Sequence, residues 1–354
     1  MAPFDRLTGW YDRLRHRWMY RKGSGGTGTG SRLSSLGSAV SLKGLRGKMS
    51  GGLATKSLVG FFVLLVAYYF IGGWIIHSID DDPDFRPSAE YNVAGGSHVV
   101  AMTAALIKRE VEDKRWTAND PWFVPSAFLD NMPNYQQGIV SALARFSFEM
   151  TDQLGRTRGS SQTDPDLQSA SGLLQYAGDV WIWDPKVSLM PRASSEAQYR
   201  AARDALLKYN ARLAKGEAVF ERRADNLMAT LDRIALDIGS SSAVLVSAVE
   251  GATGRIIDPS ADDNFYNVKG QLYAYYLLLD ALHQDFDTLI TERGLTGAWE
   301  QMQDSMHKAA MLDPLVVVNG TPDGQFLPNH LAAQGFYLLR ARTQLREITN
   351  ILLK

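Results

Sequence analysis

Few residues of this chain are spaced for chemistry. Its six histidines (His16, His77, His98, His283, His307 and His330) include no H-E-x-x-H and no pair at i, i+4, and the chain has no cysteine. The usual zinc-binding spacings are therefore missing, and no metal or other cofactor is expected. His283 and Asp287 stand one helical turn apart, an arrangement common among surface pairs. No G-x-S-x-G occurs to mark a nucleophilic serine. The carboxylate in the most suggestive setting is Glu149, within ARFSFEMTDQ between Phe148 and Met150. A desolvated glutamate there would act as the acid in glycan cleavage, with Asp179 and Asp184 on either side of VWIW as companion carboxylates. The plainer readings are a glutamate on the solvated side of a helix and Asp184-Pro185 as a turn. The chain is read as a binding protein before an enzyme.

Binding would fall to aromatic residues. Trp116, Trp122, Phe123 and Phe128 lie in one proline-punctuated connector, WTANDPWFVPSAFLDNMPN, and Trp181 and Trp183 in another, WIWDPKVSLMP. Rings in such loops line grooves for peptide or sugar, or act as pegs that pin a connector to a helical core.

Both connectors follow the stretch that organises the chain. Residues 57–76 (SLVGFFVLLVAYYFIGGWII) carry no formal charge over twenty positions, the helical length that crosses a hydrocarbon core of about 30 Å. A cleaved signal peptide would have a shorter apolar core nearer the chain start. The segment before it holds eleven Lys or Arg against two acidic residues, a balance of +9, whereas residues 57–354 sum to −10. A basic flank stays on the cytoplasmic side, so the N-terminus is expected inside and the larger part outside, across a bacterial inner membrane in the periplasm. Tyr68, Tyr69 and Trp74 suit the outer headgroup layer. In the tail, Phe4, Leu7, Tyr11, Leu14 and Trp18 recur at helical spacing beside a basic face; with Trp10 they suit a helix lying on anionic lipid heads. GSGGTGTG is followed by Ser31-Arg32 instead of the Lys-Ser/Thr of a phosphate-binding loop, so it reads as a linker. The acidic outer part disfavours nucleic acid.

The organisation expected is a basic tail (1–56), a transmembrane helix (57–79), an acidic stalk (80–95) containing DDDPDFRP, and a domain over 96–354. Apolar residues recur at helical spacing through most of that domain, which makes the fold mainly α. The longest pattern runs from Ser194 to Ile238 as heptads with one stutter, predicting either one coiled-coil-like rod or two helices divided at Gly216. Ser194 is placed to cap it. Only PLVVVNGTPDGQFLP breaks the rule, and suggests a small β-hairpin or structured loop.

The tail, span and DDDPDFRP segment, together with NDPWFVPSAFLDNMPNYQQGIV, DVWIWDP and QLYAYYLLLDAL, resemble an uncharacterised family of bacterial inner-membrane proteins with a domain of unknown function. That resemblance implies an envelope location and carries no site residues. The expected role is a non-enzymatic envelope scaffold that binds a protein partner, with a periplasmic ligand sensor or a cell-wall hydrolase or lyase as alternatives.

Overall fold

The computed structural model describes residues 51–155, 163–183, 185, 187–251, 258–321 and 327–354, without the side chains of 51–54. The expected helices form: α1 Gly51–Ile76, α2 His98–Lys108, α3 Asn131–Glu149, α4 Pro165–Leu174, α5 Ser195–Ala214, α6 Ala224–Glu250, α7 Pro259–Asp285, the short α8 Asp287–Glu292, α9 Thr296–Ala310 and α10 His330–Leu352. Within α1, Thr55–Ile76 is long and apolar enough to cross a membrane, and its side chains are almost wholly uncovered by the rest of the chain. Val59–Lys354 is one compact unit; of the other, Met1–Leu58, only the residues from 51 onward are described, and they begin α1.

The bundle is organised around α7, which packs against α2, α3, α6, α9 and α10. It is buried on every side along much of its length, through residues such as Phe265, Leu272, Tyr273, Tyr275 and Leu278, as a central helix must be. Its tightest partner is α3, because two glycines let the backbones meet. A Cβ on Gly138 would fall 2.1 Å from the Asn267 carbonyl oxygen, and one on Gly270 would fall 2.1 Å from that of Tyr135. No side chain fits at that crossing.

The heptad stripe is divided between two helices. Gly216 has φ +74, a left-handed conformation that glycine adopts without a Cβ penalty, and it ends α5. Tyr199, Ala202, Leu206 and Tyr209 of α5 bury against α2 and α4, while Leu227, Leu231, Ile234 and Ile238 of α6 bury against α7 and α10. The stripe thus finds its neighbours within the chain. The Ser194 hydroxyl caps α5 by accepting from the Ala197 N–H.

Both α2 and α3 end in a π-helical turn, Arg109–Asp113 and Met150–Leu154. The first is clamped by the buried Gln136 side chain, which donates to the Glu110 and Arg115 carbonyls and accepts from the Thr117 N–H and hydroxyl. In the valine-rich segment after α9, no strand forms among the described residues. The expected hairpin reduces to one antiparallel bridge, Asn319 to Asn329. The Asn319 amide instead donates to the Ala248 carbonyl, and the Asn329 side chain caps α10.

Candidate functional site

The first aromatic connector packs against α1, and the second meets the first. Trp116 is a core peg: it is 1% exposed, its indole N–H donates to the Gly178 carbonyl at 2.8 Å, and its ring meets Tyr199 edge-on. This ring is a poor groove wall because the connector is anchored through it. The rest of that connector lies along α1. Tyr68 and Tyr69 donate their hydroxyls to the carbonyls of Phe123 (3.1 Å) and Trp122 (2.9 Å), and the Phe128 ring meets Tyr69 edge-on. Higher up, Gly72 faces Pro125 so closely that a Cβ would come within 2.5 Å of the ring, and Gly73 faces Leu129. Trp181 of the second connector joins through an edge contact with Phe123. Trp122 and Phe128 remain largely exposed, as does Trp74 on α1, and Phe123 and Trp183 are about half exposed. Trp10, Trp18 and Asp184 lie outside the described residues.

Directly beyond α1 the chain enters a polar seat. The segment expected as an acidic stalk is held by the bundle, because each of its first three residues has a partner there. Asp80 pairs with Lys114 at 3.1 Å and with Arg109 at 3.6 Å, and its carbonyl accepts from Tyr135. Asp81 pairs with Lys269 at 2.7 Å, and the Asp82 carbonyl accepts from Tyr273 at 2.6 Å. Arg109, itself buried, lies over the Phe85 and Tyr273 rings and pairs with the buried Glu110 at 2.7 Å. Burial alone would push the Asp80 carboxyl up, but Arg109, Lys114 and the Asp82 N–H together hold it below the usual aspartate range. Tyr135 and Gly138 come from α3, and Lys269, Gly270 and Tyr273 from α7. The glycine crossing therefore builds the seat.

Sequence reasoning missed Arg109, Lys269, Tyr135 and Tyr273. A signal existed in NFYNVKGQLYAYYLLL, where the polar stripe is Asn264, Asn267 and Gln271 and one lysine stands on the opposite, apolar face, a position that requires an anionic partner.

Elsewhere a cleft of about 420 Å³ opens along α3 and α4, lined by Gln137, Ser141, Arg145, Gln175, Tyr176 and Tyr199. Smaller hollows of about 310 and 330 Å³ share Arg145, Phe148 and Gln175 with it or with each other and continue toward Asp152 and Arg233. Arg145 is fixed by Asp237 at 3.1 Å, which also accepts from the buried Tyr275. Glu149 is half-buried at the end of α3, and its carboxyl is pushed up, first by burial and then by Asp152 and Asp237, against the pull of Arg233. The groove can take a polar, extended chain; its amides and hydroxyls offer hydrogen bonds in both senses. Among the described residues, no group of three or more His, Asp or Glu side chains is placed to hold a metal ion.

Comparison with known proteins agrees with the resemblance. No curated protein and no solved structure matches this chain. The bacterial family described as "Uncharacterized protein conserved in bacteria (DUF2333)" matches residues 86–258 and 255–354, which takes in the bundle and its half of the seat but not Asp80, Asp81 and Asp82. With most of its length covered by that match, the chain belongs to the DUF2333 family of bacterial proteins.

Proposed function

We propose that this chain is a single-pass protein of the bacterial inner membrane, N-terminus in the cytoplasm and bundle in the periplasm, working as a non-enzymatic envelope scaffold that binds a partner. The observation that carries the reading is the seat. A domain on a free tether samples all orientations, whereas one gripped through Asp80, Asp81 and the Tyr68 and Tyr69 hydroxyls presents a fixed face. Fixed presentation is what a scaffold needs and what an isolated soluble enzyme does not. The α3–α4 groove, on the side of the bundle, is the surface that would receive the partner.

The absence of cysteine makes topology directly testable. Single-cysteine variants Ser31→Cys and Gln284→Cys are exposed to a membrane-impermeant maleimide in cells with a permeabilised outer membrane. Only Gln284→Cys is expected to label; labelling of Ser31→Cys alone would reverse the orientation. For the binding role, a photoreactive residue at Gln175 should capture one defined envelope component, and Ser141→Trp, which fills the groove, should abolish capture without lowering Tm.

One observation favours a second reading, the raised carboxyl of Glu149 beside Asp152 and Asp237. If the domain cleaves cell-wall glycan, full-length protein will release soluble fragments from purified wall material and Glu149→Gln will stop it. Release that survives Glu149→Gln would discard that residue as the acid.

A further inference from the structure

If α1 spans the membrane, as proposed above, its contacts fix the depth of the connector beside it. The carbonyls of Trp122 and Phe123 meet Tyr69 and Tyr68, seven and eight residues before the end of the helix at Ile76, or about 10–12 Å along its axis. Tyrosine side chains on a helix lean toward its N-terminus, so their hydroxyls lie no nearer the outer end than their own Cα atoms. Pro125 beside Gly72 and Leu129 beside Gly73 show the loop climbing back along the same helix. From these registers we infer that the tip Trp122–Phe128 is immersed in the outer leaflet of the bilayer, and that the second connector, joined to it by the Trp181–Phe123 ring contact, meets the same lipid with its exposed Leu189 and Met190, so that the bundle rests on lipid as well as on its span.

Three further observations fit immersion. The nine residues between Asp120 and Asp130 (PWFVPSAFL) carry no charge. Trp122 is 77% and Phe128 70% exposed, a cost in water of apolar area that lipid removes. Much of the carbonyl backbone of the tip is also paired. Pro121 and Pro125 have no N–H to satisfy. The Pro121, Val124 and Ser126 carbonyls accept from Val124, Ala127 and Leu129, and the Trp122 and Phe123 carbonyls accept from the two tyrosines. Backbone placed beside hydrocarbon requires such partners, because lipid tails offer none. The second connector closes in the same manner, with the Arg192 N–H donating to the Ile182 carbonyl and the Trp183 indole to that of Leu189. Leu189 is exposed at its tip.

The occupant of this surface is therefore lipid and not a protein partner, by continuity with the span itself. The test places a nitroxide at Phe128→Cys or Leu189→Cys in the full-length chain, reconstituted in vesicles of phosphatidylcholine and phosphatidylglycerol. Phe62→Cys on α1 and Gln284→Cys at the far end of α7 serve as references. The ratio of relaxation by oxygen to relaxation by a water-soluble nickel chelate is expected to be several-fold higher at Phe128→Cys than at Gln284→Cys and to approach that of Phe62→Cys, with Leu189→Cys intermediate. If Phe62→Cys reads as lipid-embedded while Phe128→Cys and Leu189→Cys match Gln284→Cys, immersion is overturned and the span stands. An aqueous reading at Phe62→Cys as well overturns both.

Discussion

The Nζ of Lys269, fully shielded from solvent on α7, lies 2.7 Å from a carboxylate oxygen of Asp81, five residues beyond the end of α1. This pair closes the seat from the bundle side, and Asp313 stands behind it at 3.5 Å. Removing one charge strands the other. Asp81→Asn is expected to destabilise the full-length protein by about 1–3 kcal/mol, less than the ~3–5 of a wholly buried pair because Asp81 is one-third exposed and Asp313 remains. Lys269→Met, which removes the buried cation and keeps its length, should cost less than Asp81→Asn in thermal unfolding in detergent. Equal or greater loss from Lys269→Met would mean that the pair itself supplies the stability.

The α3–α7 crossing permits no side chain. Gly138→Ala or Gly270→Ala forces a Cβ against backbone carbonyl oxygen, which cannot rotate aside, so the helices must part. A loss of about 2–3 kcal/mol is expected, toward the upper end of overpacking costs. Ala at Gly172, which faces open space on α4, should be neutral or slightly stabilising, as the higher helix propensity of alanine requires. Chemical denaturation of the three variants separates the two cases.

Asp262, near the start of α7, is pushed up to about 6 by burial and by Asp130 and Asp263 beside it. Its unfolded value is about 3.9. The folded chain therefore holds this proton more tightly than the unfolded chain, and stability falls as pH rises from about 4 to about 6, then stays reduced above that window. Asp262→Asn should raise Tm at pH 7.5 and leave it nearly unchanged at pH 4. A gain of equal size at both values would assign the effect to something other than titration.

Two tryptophans of one connector should behave in opposite ways. Trp116→Phe loses the indole donor to Gly178 and part of the contact with Tyr199, and is expected to cost about 1–2 kcal/mol. Trp122→Ala removes an exposed ring and should leave stability in detergent within about 0.5 kcal/mol of the parent. The comparison by thermal unfolding distinguishes a peg from a surface residue.

The sequence by itself determined most of the helices, among them the one long and apolar enough to cross a membrane, because these depend on local periodicity and on uninterrupted apolar length. It also placed the capping serine at 194 and marked Gly216 as one possible break; the structure decided for the break, where glycine adopts φ +74 without strain. What the tertiary structure decided is which surfaces meet. Trp116 and Trp122 stand in the same connector with similar neighbours, yet one is a core peg and the other is exposed beside α1, because burial depends on helices distant in the chain. Asp80 to Asp82 read as part of an acidic stalk, since their partners Lys114, Lys269 and Tyr273 lie up to 191 residues away. Charge excess beside a long apolar helix is visible in composition. Pairing of those charges is a property of packing, and no spacing along the chain encodes it.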